Sequence, residues 1–102
     1  MDSIVTTCKD ICAISGREAT EEHHLVFGRG YRQLAEEDGL KIPINSAFHK
    51  LSKYAIHDNP TAEALSKMLG QAVWEKHQIA LRGISEDEAR RDWIKRYGRS
   101  WL

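Results

Sequence analysis

The hydrophobic and polar positions along the chain change period several times, and each change predicts an element. Apolar residues flank a polar, glycine-containing turn in "CAISGREATEEHHLVFG", which predicts two short strands, Cys12–Ser15 and about His23–Phe27, in a hairpin-like arrangement. A glycine-bearing loop, "GRGYRQLAEEDG", follows and ends in "LKIPI". Pro43 fixes its own φ and disfavours helix at Ile42, so the chain reaches position 44 extended. "NSAFHKLSKY" reads as a short helix capped by Asn45 or Ser46, with Phe48, Leu51 and Ala55 roughly on one face. "AIHDNP" breaks it.

Asp58 or Asn59 caps a longer helix that carries Pro60 in its first turn, where the missing N–H costs nothing. Ala62, Leu65, Leu69, Ala72, Val73 and Trp74 form its expected apolar stripe, and Gly83 stops it. Ser85 with Glu88 makes a capping box for a last helix, with Ala89, Trp93, Ile94 and Tyr97 facing inward and Gly98 as its stop. The pattern predicts an α+β fold: an early β-hairpin and helix, then two further C-terminal helices. Trp74, Trp93 and Tyr97 are explained as core by their helical spacing.

At 102 residues the chain makes one domain with a modest core. Lys plus Arg and Asp plus Glu number 15 each, so net charge gives no hint of a polyanionic partner. The charge is uneven, though. Arg90, Arg91, Lys95, Arg96 and Arg99 gather near the end against Asp92, a stretch that suits either nucleic acid or a solvated helix face. No apolar run reaches membrane-spanning length and the start lacks a secretory pattern, so a cytoplasmic protein without membrane contact is expected. Cys8 and Cys12 are too close in sequence to be an attractive staple and read as free thiols or half of a metal site.

Chemistry concentrates in the histidines: His23, His24, His49, His57 and His77. His77, late in the long helix, complements the helix dipole. The other four invite a shared role. Neighbours on a strand point to opposite faces, so His23 and His24 cannot both be core. Imidazole serves equally as a transition-metal ligand and as a base near neutral pH. One histidine of the pair can therefore turn to a metal held with a helix histidine while the other turns to a water.

"HHLVFG", "DGLKIPI" and "AFH", in this order, resemble the HNH, or ββα-metal, nuclease superfamily. More narrowly, "ISGREATEEHHLVFGRG", "EEDGLKIPINSAFHKLS", "AIHDNP", "MLGQAVWEKH" and "WIKRYGRSWL" are similar to a family of small phage-encoded HNH-type proteins, from about Cys12 to Leu102. The resemblance implies a ββα-metal core over about 12–58 followed by a helical part over about 60–102. It implies a metal-dependent DNA endonuclease, with a catalytically inactive DNA-binding or protein-interaction module as the alternative.

Residue by residue, the resemblance makes His24 the general base and gives His23 and His49 to one divalent ion, Mg, Mn, Ni or Zn. A further ligand commonly lies one turn beyond His49. Lys53 occupies that place and is a poor ligand, so His57 is the candidate replacement. Two helical turns would carry it about 12 Å from His49, so sharing an ion requires the chain to leave the helix and fold back. The usual middle Asn is missing, and Asp38 is the candidate for its loop-ordering role. Arg29 and Arg32 are candidates for a flanking phosphate, with Lys95, Arg96 and Arg99 extending the DNA contact. The places of a second, structural zinc read Cys12, Ser15, Asn45 and Phe48, so that knuckle is not expected and apolar packing should replace it.

Overall fold

The computed structural model describes residues 1–49 and 56–102. Leu51, Lys53 and Ala55, named above for a helix face and a ligand position, lie outside the described residues. Strand β1 (Glu21–His24) pairs antiparallel with β2 (Lys41–Ile44) in the register Glu21 to Ile44, Glu22 to Pro43, His23 to Ile42 and His24 to Lys41. The "LKIPI" segment is extended as its proline dictates, and every residue of β2 is buried. Pro43 cannot donate, but its carbonyl accepts from Ala13 N at 2.9 Å.

The expected partner strand at Cys12–Ser15 is instead a turn. Cys12 N–H donates to the Arg17 carbonyl at 2.7 Å and Gly16 N–H donates to the Cys12 carbonyl at 2.9 Å, leaving only an isolated bridge between Ile11 and Glu18. Gly16, at φ 74°, closes that turn, and a residue spent on closing it cannot also join a ladder.

The expected loop between the strands holds helix α1 (Tyr31–Asp38). Its sequence, YRQLAEED, is made largely of residues that tolerate helix, and Gly39 in the left-handed region caps its end by donating to Ala35 O and Glu36 O. Gly39 has a second reason to lack a side chain: a Cβ there would sit 2.4 Å from the Asp2 carbonyl oxygen. Helix α2 (Ser46–His49) follows β2, with Asn45 Oδ1 accepting from Ala47 N. A 3-10 turn at Ile56–Asp58 precedes the long helix α3 (Pro60–Arg82).

Helix α3 starts as read from its sequence, with Asn59 Oδ1 accepting from Thr61 N and Ala62 N and Pro60 in the first turn. Its buried face is the expected one only in part, with Trp74 buried and Ala62 and Val73 packed against the cores. Leu65 and Leu69 are 58% and 45% exposed, and Ala72 is exposed too, whereas Ser66, Gly70, Gln71, Trp74 and Glu75 face inward. Gly70 explains the choice. A Cβ there would lie 2.9 Å from Val26 Cγ2, so the helix lies backbone-close against the end of β1.

Helix α4 (Glu86–Tyr97) has the predicted Ser85 cap, its Oγ accepting from Glu88 N at 3.1 Å, and the predicted Gly98 stop. Ala89, Trp93 and Tyr97, spaced by four, are buried, while Ile94 is displaced by a hundred degrees from Trp93 on the wheel and is exposed. Trp93 stacks on Tyr97 at 3.8 Å and meets Trp74 edge-on at 5.5 Å, at the centre of the main core with Leu25, Val26, Ala35, Leu40 and Ile42. A smaller cluster joins Cys12, Ile44 and Ile56 to Phe27, Phe48 and Ala62. The fold is a small α+β arrangement, and among the described residues no helix is long and apolar enough to cross a membrane.

Candidate metal centre and cleft

Three histidines converge beside the smaller apolar cluster. A donor nitrogen of His23, His49 and His57 lies within 4.8 Å of those of the other two, so the three can hold a metal ion. His23 comes from β1, fully buried. His49 ends α2. His57 sits in the 3-10 turn, and its Nε2 approaches His49 Nε2 to 2.9 Å. Two ligands on one ion, with bonds of about 2.0–2.1 Å, would stand about 2.9 Å apart at a right angle and about 3.4 Å apart in a tetrahedron. The His49–His57 pair already has that spacing, and His23 has to draw in to join it.

The surroundings favour the neutral form of His23. Burial, aided by the neighbouring imidazoles of His49, His57 and His24, pulls His23 down from 6.5 to about 3. Its Nε2 is 2.8 Å from Ser66 Oγ, while its Nδ1 is buried without a hydrogen-bond partner. An unpartnered buried polar atom costs about 1–3 kcal/mol, and a cation would relieve that cost. His49 Nδ1 donates to Glu21 Oε2 at 2.5 Å, which leaves Nε2 with a lone pair. Carboxylates commonly hold the far nitrogen of a metal-binding histidine in this way. The Phe27 ring closes one side, 4.3 Å from His57 and 5.2 Å from His23 between centroids.

His24, next along the strand, turns the other way. Its Nε2 meets Glu36 Oε2 of α1 at 3.4 Å, and Lys41 Nζ reaches the same oxygen at 2.9 Å. Lys41, with His24 in support, holds the Glu36 carboxyl below its usual range, so Glu36 is an anion facing the imidazole. A cleft of about 520 Å³ is lined by His24, His49, His57, Arg32, Phe27, Glu21 and Glu22. The expected division of the His23–His24 pair between two faces is therefore what the strand produces.

The other candidates are dispersed. Asp38 does not accompany His24: its Oδ2 accepts from Tyr97 Oη and Arg96 Nε, both at 2.7 Å. Residues two apart on a helix are separated by about 200°, so Glu36 and Asp38 project from nearly opposite sides of α1, and Glu36 takes the place beside His24. Burial, together with the bond to Asp38, keeps the Tyr97 hydroxyl protonated well beyond its usual range. Arg96 is correspondingly occupied by Asp38 and by Glu37, at 3.2 Å, rather than left for a phosphate. Arg32 lines the cleft and Arg29 is exposed in the preceding loop. Lys95 is exposed on α4, and Arg99 lies 4.9 Å over the Trp101 ring. At the expected zinc-knuckle places, Cys12 is a buried free thiol accepting from Ser15 N, Asn45 donates to the Glu18 carbonyl, and Phe48 packs on Cys12, Ile44 and Ile56.

Sequence reasoning missed Glu21, Glu36 and Ser66. Glu21 was the most accessible of these, because a strand's period of two places it on the face of His23. No family model matches the chain, and no curated protein or solved structure shows a significant match to it.

Proposed function

We propose that the chain is a metal-dependent endonuclease of the ββα-metal type that hydrolyses DNA phosphodiester bonds. The observation that carries this reading is the single cleft lined by His24, His49, His57 and Arg32. It offers a base, part of a cation site and a guanidinium in one place. The order is β1, α1, β2, α2, an α+β frame in which His24 ends the first strand and His49 lies on the helix after the second.

In this reading His24 removes a proton from a water through Nδ1, while its Nε2–H stays on Glu36. The carboxylate keeps the ring in that tautomer and offsets the charge of the imidazolium that forms. His23, His49 and His57 hold a divalent ion; when bound it supplies Lewis acidity to the phosphoryl group and neutralises charge on the leaving oxygen. Arg32 pairs with a phosphate oxygen at the cleft, and Arg29, Lys95 and Arg99 extend the contact along the strand.

Plasmid nicking with Mg²⁺, Mn²⁺, Ni²⁺ or Zn²⁺ tests the reading. Cleavage by the wild type, with His24→Ala reduced by about 10²–10⁴-fold, is expected. Undiminished cleavage by His24→Ala removes its role as base. A non-catalytic DNA-binding or protein-interaction module is the second reading, favoured by Glu21 and Glu22 on the cleft wall, which repel a phosphodiester. DNA retained on a gel without cleavage under any of the four ions supports it.

A further inference from the structure

We propose that Ser66 is a positioning residue for the metal centre: it fixes His23 as the Nε2–H tautomer, so that His23 binds an ion through Nδ1 while His49 binds through Nε2. The inference rests on the metal reading above and concerns how the protein prepares the two ligands.

Ser66 Oγ lies 2.7 Å from the Leu25 carbonyl oxygen and 2.8 Å from His23 Nε2. A hydroxyl carries one proton, and a carbonyl only accepts. The Ser66 proton is therefore committed to Leu25, and the hydroxyl oxygen turns a lone pair to His23. Nε2 must carry the hydrogen of that contact. A neutral imidazole has one N–H, so Nδ1 is left bare, and Nδ1 is the buried nitrogen with no partner.

The same reasoning gives the opposite result at His49. The Glu21 carboxylate only accepts, so Nδ1 carries the hydrogen and Nε2 keeps its lone pair, accepting from His57 Nε2 at 2.9 Å. Two histidines thus enter one centre through different nitrogens, each chosen by the acceptor behind it. Nothing in the residue type dictates this.

The backbone arrangement places Ser66 where it can act. Gly70, one turn later on α3, allows the helix to lie against Leu25 and Val26, where a Cβ would come within 3.1 Å of Leu25 Cβ. A hydroxyl on so short a side chain reaches the strand only because of that approach. Leu25 N–H is already spent on the Leu40 carbonyl, so the Ser66 bond uses the remaining group of that peptide and ties helix, strand and ligand together.

Long-range ¹H–¹⁵N spectra of the metal-free protein and ¹¹³Cd spectra of the cadmium-loaded protein test the proposal. Expected are a single Nε2–H tautomer of His23 without metal and cadmium coupling to His23 Nδ1 and His49 Nε2. Ser66→Ala should give mixed His23 tautomers and zinc affinity lower by about tenfold or more, while Ser66→Thr, which keeps the hydroxyl, retains both properties. Cadmium coupled to His23 Nε2, or an unchanged tautomer and affinity in Ser66→Ala, overturns the proposal and leaves the metal reading standing. Absence of cadmium from all three histidines overturns both. The wild-type spectra decide alone should Ser66→Ala not fold.

Discussion

Two buried polar clusters sit on the inner face of α3, and they differ in how completely the protein satisfies them. Around Gln71 and Glu75 every acceptor and donor in view is matched. Gln71 Nε2 donates to Glu75 Oε2 and Ser100 Oγ, its Oε1 accepts from Trp101 N at 2.6 Å, and Arg90 Nε reaches Glu75 at 2.8 Å. Around Ser66 the cluster ends on His23 Nδ1, which has no partner, and on two imidazole nitrogens 2.9 Å apart. The first cluster is closed and pins the segment after α4 to α3. The second is open at one point, His23 Nδ1, beside three histidines that can hold a cation. Burial of polar groups alone does not identify a site; incomplete satisfaction does.

Adding metal should separate the two clusters most strongly. With free zinc at about a hundred times Kd, binding stabilises the fold by about 2.7 kcal/mol, a rise in melting temperature of about 10–20 °C for a chain of this size. A chelator should reverse it, and His57→Ala should abolish it while Gln71→Ala keeps it, as thermal melts will read.

Breaking the closed cluster acts on a comparable scale. Gln71→Ala leaves the Trp101 N–H and the Glu75 carboxylate short of a partner and opens a cavity. It should cost about 2–4 kcal/mol in urea unfolding, with or without metal.

Acid gives a graded version of the contrast. His23 has its folded-state value lowered to about 3 from 6.5, so the unfolded chain binds a proton that the folded chain refuses. Its contribution to stability is full above pH 6.5 and is lost as pH falls towards 3, by at most about 1.4 kcal/mol per unit. Metal-free melts between pH 7 and 5 should show the decline, and His23→Leu should flatten it.

Removing the carboxylate behind His49 by Glu21→Gln should weaken zinc binding by about tenfold, about 1.4 kcal/mol, measured by competition with a chromophoric chelator. The smallest effect sharpens the comparison furthest. His23→Leu in the metal-free protein exchanges an unsatisfied imidazole for an apolar side chain of similar size, and should change stability at pH 7.5 by less than about 1 kcal/mol while metal uptake disappears.

Local chemistry was legible in the sequence. Asn59-Pro60, Ser85 with Glu88, Gly83 and Gly98 set their helix ends through contacts only a few residues away, and Pro43 made its segment extended. Helix α1 was hidden because Gly30 and Gly39 punctuate it so closely that the interval looks like a loop. The inward face of α3 was misread for a different reason. Leu65 and Leu69 make the better apolar stripe, but the close approach allowed by Gly70 turns Ser66 and Gln71 inward. That choice is tertiary, and no window along the helix contains it.

The three converging histidines were legible as residue types because His23, His49 and His57 each stand where a strand, a short helix and a break bring polar groups together. Their supports were not. Ser66 lies 43 positions from His23, and Glu36 becomes a neighbour of His24 only once α1 exists. Asp38 was chosen for its place in a motif, whereas the phase of α1 assigns it to Tyr97 and Arg96.

The approach of His57 to His49 also bears on the topology of the chain. His49 and His57 stand at the two ends of one stretch of sequence, and His23 belongs to a strand formed well before it. An ion joining all three would act as a non-covalent cross-link, closing one short loop and one long one. Such closure removes conformations from the unfolded ensemble in the manner of a disulfide, without needing an oxidising compartment. The same ion would hold the strand and the start of α3 in register before the distant helices dock. The centre would then decide in what order the molecule is assembled as well as what it does once built.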